Sequence, residues 1–239
     1  MDVDFAGEHD GEKLDFDMFL SKDEEEAAKP IEPDPVLTRE EAFEKLPHVW
    51  NGTISMPIDT MNPEETRIFA RQIGGKTIEP DSALWRTLFP SEQLRIDGRV
   101  PVAHSSKYLM DSRMAPAKEL IAVTFTPQSE QALGVLQAIS GFLKGKDRHG
   151  LIFPWGKRGK EWGSELYIVP LSKSEPIPES IELLDNLKLP KQRNEDCFVG
   201  IWILNRGKLQ PPPPLPSVRP LPAPVQPSVL HTVTPPQPP

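Results

Sequence analysis

Apolar and polar residues alternate, imperfectly, from Val49 to Met56, and this two-residue period predicts a strand. Arg67–Ile73 reads as a second strand, closed by Gly74 and Gly75, and Leu94–Ile96 as a short one before Gly98. Leu120–Phe125 is apolar without interruption, the pattern of a strand buried on both faces. Leu151–Phe153, Leu166–Val169 and Phe198–Leu204 read as further strands. Ser129–Leu143 carries Ala132, Leu133, Val135, Leu136, Ile139 and Phe142 at three- and four-residue spacings, an amphipathic helix. Shorter helices are predicted at Ser82–Leu88, with Asp81 or Ser82 as cap, at Ser105–Arg113 and at Ile177–Leu187. Strands outnumber helices and are separated by loops or single helices. The pattern fits an α+β domain built around a strongly curved sheet or barrel.

That pattern stops short of both ends. Proline supplies 29 of the 239 residues, and 13 of them lie in 209–239, where the only charge is Arg219. Proline fixes φ and removes a donor, so 209–239 is expected to be an extended, polyproline-II-like, disordered tail. Residues 1–37 are acidic: positions 1–35 hold 13 Asp and Glu against three Lys, a net −10. The rest of the chain is +2, so the overall −8 describes an acidic arm on a slightly basic body. The arm has too little apolar surface to order its backbone and is expected to be disordered. Residues 38–208 remain as the globular domain, long enough for one core.

The chemistry of catalysis is sparse. The chain has no P-loop, nucleophile elbow, zinc-protease helix or dinucleotide glycine motif, and its five histidines show no metal-ligand spacing. Its one cysteine, Cys197, opens an apolar strand and reads as a buried, inert thiol. No disulfide scaffold, cofactor or metal is expected. No apolar run reaches membrane-span length and the N-terminus lacks a basic signal-peptide region, so the chain reads as intracellular. The bases are more informative. They cluster at Lys144–Gly150 and at Lys157–Lys160, and recur at Arg95, Arg99, Lys107, Arg113 and Lys118. A guanidinium offers a planar fork that matches phosphate, and an ammonium a point charge. Duplex nucleic acid calls for a denser positive field with aromatic interleaving, so a phosphorylated peptide is the better anion. Each cluster also has a plainer reading as a solvated loop surface.

Val49–Pro57 resembles the opening strand of the SPOC domain (Spen paralogue and orthologue C-terminal), with its W-x-G-x-I-x-M pattern. The resemblance continues in order. Leu94–Val100 is similar to an L-x-I-x-G-R-I segment, Tyr108-Leu109 to the family's tyrosine, and Ala117–Leu120 to the K-E-L entry of a core strand. Phe142 through Arg148-His149-Gly150 is similar to an F…R-Y-G turn, Tyr167–Leu171 to a Y-L-I-P-L strand, and Val199–Ile203 to the last strand. The subgroup most resembled is the PHD-finger/TFIIS-central-domain/SPOC transcription elongation regulators of fungi and animals. Neither PHD cysteines nor a TFIIS-type central domain occurs in this sequence.

The resemblance implies a distorted β-barrel of about seven strands framed by helices. It implies no enzyme but a nuclear phosphoserine-peptide reader, docking on the phosphorylated C-terminal repeats of RNA polymerase II and regulating transcription elongation. Arg99 stands at the family's phosphate-binding arginine, Lys118 at its basic partner and Tyr108 at a groove tyrosine. Lys146 and Arg148 stand at a second phosphate patch, where this chain has a longer turn and an acid, Asp147. Gly141 stands where an aromatic can occur. Trp50, Ile54 and Met56 read as core, and Arg99 has an alternative partner in Asp97.

Three other functions fit the same sequence. The barrel could be a scaffold whose arms carry the interactions: Leu14–Leu20 as an acidic docking segment or a plain linker, and Pro213, Pro214, Leu215 and Pro216 as a WW-domain ligand. The arm could also lie back over the basic groove. The ligand could be a corepressor tail instead of polymerase repeats, and the basic loops could bind nucleic acid.

Overall fold

The computed structural model describes residues 38–58, 63–156 and 161–213. The acidic arm, the Lys157–Lys160 cluster, and Pro214, Leu215 and Pro216 of the WW-type motif lie outside the described residues. A capping box opens the domain: Thr38 Oγ1 accepts from Glu41 N and the Glu41 carboxylate accepts from Thr38 N, which starts α1 (Arg39–Glu44). Then follow β1 (His48–Pro57), β2 (Pro63–Gly75), α2 (Leu84–Leu88), β3 (Gln93–Arg95), β4 (Gly98–Pro101) and α3 (Val102–Met114). After α3 come β5 (Lys118–Pro127), α4 (Glu130–Gly145), β6 (Arg148–Ile152), β7 (Gly163–Leu171), α5 (Glu179–Glu182) and β8 (Cys197–Asn205).

The eight strands form one sheet in the order β3-β1-β2-β5-β8-β7-β6-β4, antiparallel except for β1 with β3. The sheet is curled. One apolar cluster joins Ile54 and Met56 of β1 to Ile168 of β7 and Trp202 of β8, strands that a flat sheet would hold far apart. The passage from β3 to β4 links the two edges: Ile96 N donates to Ser55 O of β1 at 2.8 Å, and Asp97 N donates to Leu151 O of β6 at 3.1 Å. The inner face is filled by α4 through Leu136, Ile139 and Leu143, each burial stabilising by about 1.5–3 kcal/mol. The outer face is covered by Leu109 of α3 and Ile181 of α5, packed on Tyr167, Val169 and Ile201. Strands β5 and β8 are therefore buried on both faces, which is why both read as unbroken apolar runs.

Several elements differ from their sequence reading. The predicted helix at Ile177–Leu187 shrinks to the four residues of α5, which begins after Pro178 and is capped by Leu183, and Asn186 at φ 54° turns the chain further on. Helix α3 starts at Val102, three residues early, and β4 and α1 are additional. The fold also runs past 208, since Leu209 is buried in the core and Thr87 Oγ1 donates to Gln210 O at 2.7 Å. Gly141, inside α4, faces open space, with nothing within 4 Å of an added Cβ. Gly141→Ala is expected to stabilise the domain by about 0.5–1 kcal/mol by removing backbone freedom from the unfolded chain, read as a rise of a few degrees in a thermal melt.

Candidate functional site

Arg99 occupies the seam between the sheet edges. Its guanidinium donates through Nη2 to Pro57 O of β1 at 2.7 Å and stands over the Phe142 ring of α4, 5.0 Å from the centroid. The nearby carboxylate, Asp97, is taken by Arg95, Nε to Oδ1 at 2.8 Å. Among the described residues Arg99 has no carboxylate partner. It is exposed, and its remaining N–H groups are free for an outside acceptor.

The basic turn lies on the same side. Helix α4 ends at Gly145, Lys146 caps it, Asp147 takes φ 52°, and β6 begins at Arg148. Arg99 pairs with Gly150 and Pro101 with Arg148, so strand alternation sends the Arg99 and Arg148 side chains to one face. The residue between, His149, points the other way. Its Nδ1 lies 2.8 Å from Ser105 Oγ of α3, in a buried contact. Burial pushes the imidazole down to about 4, against a weaker opposing pull from Asp147. The unfolded chain binds this proton near pH 6.5, so stability is full above that pH and falls as pH drops toward 4. The loss is expected to reach about 3 kcal/mol. His149→Asn should flatten the slope of urea midpoint against pH across that window. An unchanged slope would assign the acid sensitivity elsewhere.

Lys118 and Tyr108 lie on the opposite face. Lys118 pairs with Asn205, and its Nζ donates to Asn205 Oδ1 at 2.9 Å. Tyr108 is 42 % exposed on α3, with its ring 6.0 Å from that of Tyr167. The register row through Arg99 runs Gly150, Ile168, Gly200, Val123. Lys118 is five residues from Val123 along β5, an odd number that puts it on the other face and roughly 17 Å away along the strand. Arg99 and Lys118 therefore do not close on one phosphate. The structure puts Arg99 and Arg148 on one face, with Lys146 in the turn that precedes Arg148, and sets Lys118 beside Arg206, whose Nη2 donates to Lys118 O at 2.8 Å. Phe142 beneath Arg99 and Arg206 beside Lys118 adjoin the candidate residues, and neither was assigned a binding role from the sequence. Phe142 read as a core position, and Arg206 carries no motif.

Among the described residues the candidate thiol and hydroxyl are both buried. Cys197 is buried, and desolvation pushes its thiol up to about 11. Ser105, on the buried face of α3, is closed off from solvent together with His149. Among the described residues no cluster of His, Cys, Asp and Glu could hold a metal ion.

A family model for the SPOC domain matches residues 40–205. Transcription factor bye1 of Schizosaccharomyces pombe is 32 % identical over 112 residues, which is 47 % of this chain and 15 % of that relative. The crystal structure of the SPOC domain of human PHD-finger protein 3 superposes with a TM-score of 0.55 at 21 % identity, covering 67 % of this chain and 98 % of that one. The superposition carries the fold.

Proposed function

We propose, from the premise that this chain belongs to the SPOC-domain family, that it is a non-enzymatic phosphoserine-peptide reader. Its ligand is the phosphorylated C-terminal repeat tail of RNA polymerase II, and its role is regulation of transcription elongation in the nucleus. The observation that carries this reading is Arg99: a guanidinium fixed by Pro57 O and the Phe142 ring, free of any described carboxylate, with Lys146 and Arg148 at the adjoining turn. A phosphoserine brings about −1.5 to −2 charges and three acceptor oxygens to such a fork. The relationship to a protein named as a transcription factor supports the setting. Lys118 offers a second basic site, with Tyr108 on the same face to line the peptide's path. Two linked phosphates would then gain from effective concentration.

The test is fluorescence anisotropy of the full chain with two-repeat polymerase-tail peptides, unphosphorylated, phosphorylated at serine 2 and phosphorylated at serine 5. Phosphate-dependent binding that weakens steeply with salt is the expected result. Binding only to a corepressor-type phosphopeptide would move the partner and keep the chemistry. Equal binding to random oligonucleotides, or no phosphate dependence, would overturn the reading.

A further inference from the structure

The cleft beyond Lys118 holds more positive charge than it neutralises. It has a volume of about 320 Å³, between the ends of β2, β5 and β8 and the loop after α5. Four cations line it: Lys76, Arg113, Lys118 and Arg206. Two are matched by carboxylates, Lys76 by Glu119 at 3.2 Å and Arg113 by Asp185 at 3.2 Å. Lys118 and Arg206 are not matched by any described carboxylate. Among the described residues the Lys118 ammonium meets the neutral Asn205 amide and the Arg206 guanidinium the Lys118 carbonyl. The Nε of Arg113 is buried without a hydrogen-bond partner.

The two unmatched cations are held side by side by the backbone. Arg206 N donates to Ala117 O at 2.9 Å, while Asn205 Nδ2 donates to Glu161 O, which fixes the amide that receives Lys118. The cleft is thus a preorganised site with two charges in surplus, and a phosphate dianion neutralises it where a carboxylate leaves one charge over.

We infer that Arg206 is a phosphate-binding residue of the second site, acting with Lys118, and that this cleft selects a phosphorylated side chain over an acidic one. The inference rests on the phosphopeptide reading above. It adds a residue and a location to that reading: the second phosphate sits on the outer face, at the end of β5 and β8.

The experiment is NMR of the ¹⁵N-labelled full chain, following arginine Nε–H signals during titration with the doubly phosphorylated two-repeat peptide and with the same peptide carrying glutamates. The signals of Arg206 and Arg113 should move with the phosphopeptide and stay still with the glutamate form. Arg206→Gln should weaken the doubly phosphorylated peptide about tenfold and leave a singly phosphorylated peptide bound at Arg99 unaffected. Lys208→Gln, which removes an exposed charge outside the cleft, should change neither. Movement of Arg99 alone would overturn the Arg206 site and keep the reader. Movement of no arginine signal would overturn both. Equal response to the glutamate peptide would overturn the selectivity.

Discussion

Arg99→Ala is expected to lower affinity for a serine-phosphorylated polymerase-tail peptide by about 100-fold while leaving the domain folded. A guanidinium meeting a phosphate makes charge-assisted bonds worth ~1.5–3 kcal/mol each, and two such bonds account for the loss. Here the side chain is already placed by Pro57 O and Phe142, so little is spent on ordering it when the ligand arrives. Its own contribution to stability is small, because the residue is exposed and the Pro57 carbonyl can be rehydrated. Arg99→Lys keeps the charge and loses the fork, and should recover only a minor part of the affinity. Arg95→Ala is the matched control: that guanidinium is engaged by Asp97, and its removal should leave anisotropy titrations unchanged. Unaltered binding in Arg99→Ala would remove the seam from the site.

Gly75→Ala is expected to be the most damaging small substitution in the sheet. Gly75 ends β2 at φ +78°, where an L side chain costs about 1–2 kcal/mol. Its added Cβ would also lie 2.1 Å from Leu120 O and 2.7 Å from Leu120 C. Both are backbone atoms of the neighbouring strand, so no side chain can swing aside. Relief requires β2 to part from β5, which breaks the bond from Lys76 N to Leu120 O. The combined loss should exceed about 4 kcal/mol, a large share of a typical ~5–15 kcal/mol stability. Gly156 separates the two causes. It has φ +88° with nothing within 4 Å, so Gly156→Ala bears the backbone strain alone. Urea unfolding of the pair should show a much lower midpoint for Gly75→Ala. Equal midpoints would mean that the sheet absorbs the clash.

Most strands were legible because the fold repeats one simple arrangement. Alternation marked β1, unbroken apolar runs marked β5 and β8, and three-four spacing marked α4, which carries the inner core. Short elements escaped. Four-residue β4 contains a glycine and a proline and has no period to read. Helix α1 has one large apolar side chain, Phe43, and announces itself only through the Thr38–Glu41 capping box. The site was legible as residue types and not as geometry. Whether Arg99 and Lys118 share a face depends on the register of β4 on β6 and of β5 on β8, partners distant in the chain. The opposite facing of His149 and Arg148 is local, the alternation of consecutive residues in β6, and the pairing with β4 decides which of the two meets the core. It also explains why the basic turn is half surface and half core.

Strand β8 comes last in chain order yet sits between β5 and β7. On a ribosome the other described strands emerge first as two half-sheets, β3-β1-β2-β5 and β7-β6-β4, joined through the β3–β4 passage and each with an open edge where β8 will pair. The gap between β5 and β7 stays open until residues 197–205 are in place, since β8 supplies the ladder across it. Folding should therefore be slow and late in synthesis, gated by contacts far apart in the chain. The nascent protein should depend on chaperones that shield exposed strands until Asn205 has left the ribosome and β8 has paired.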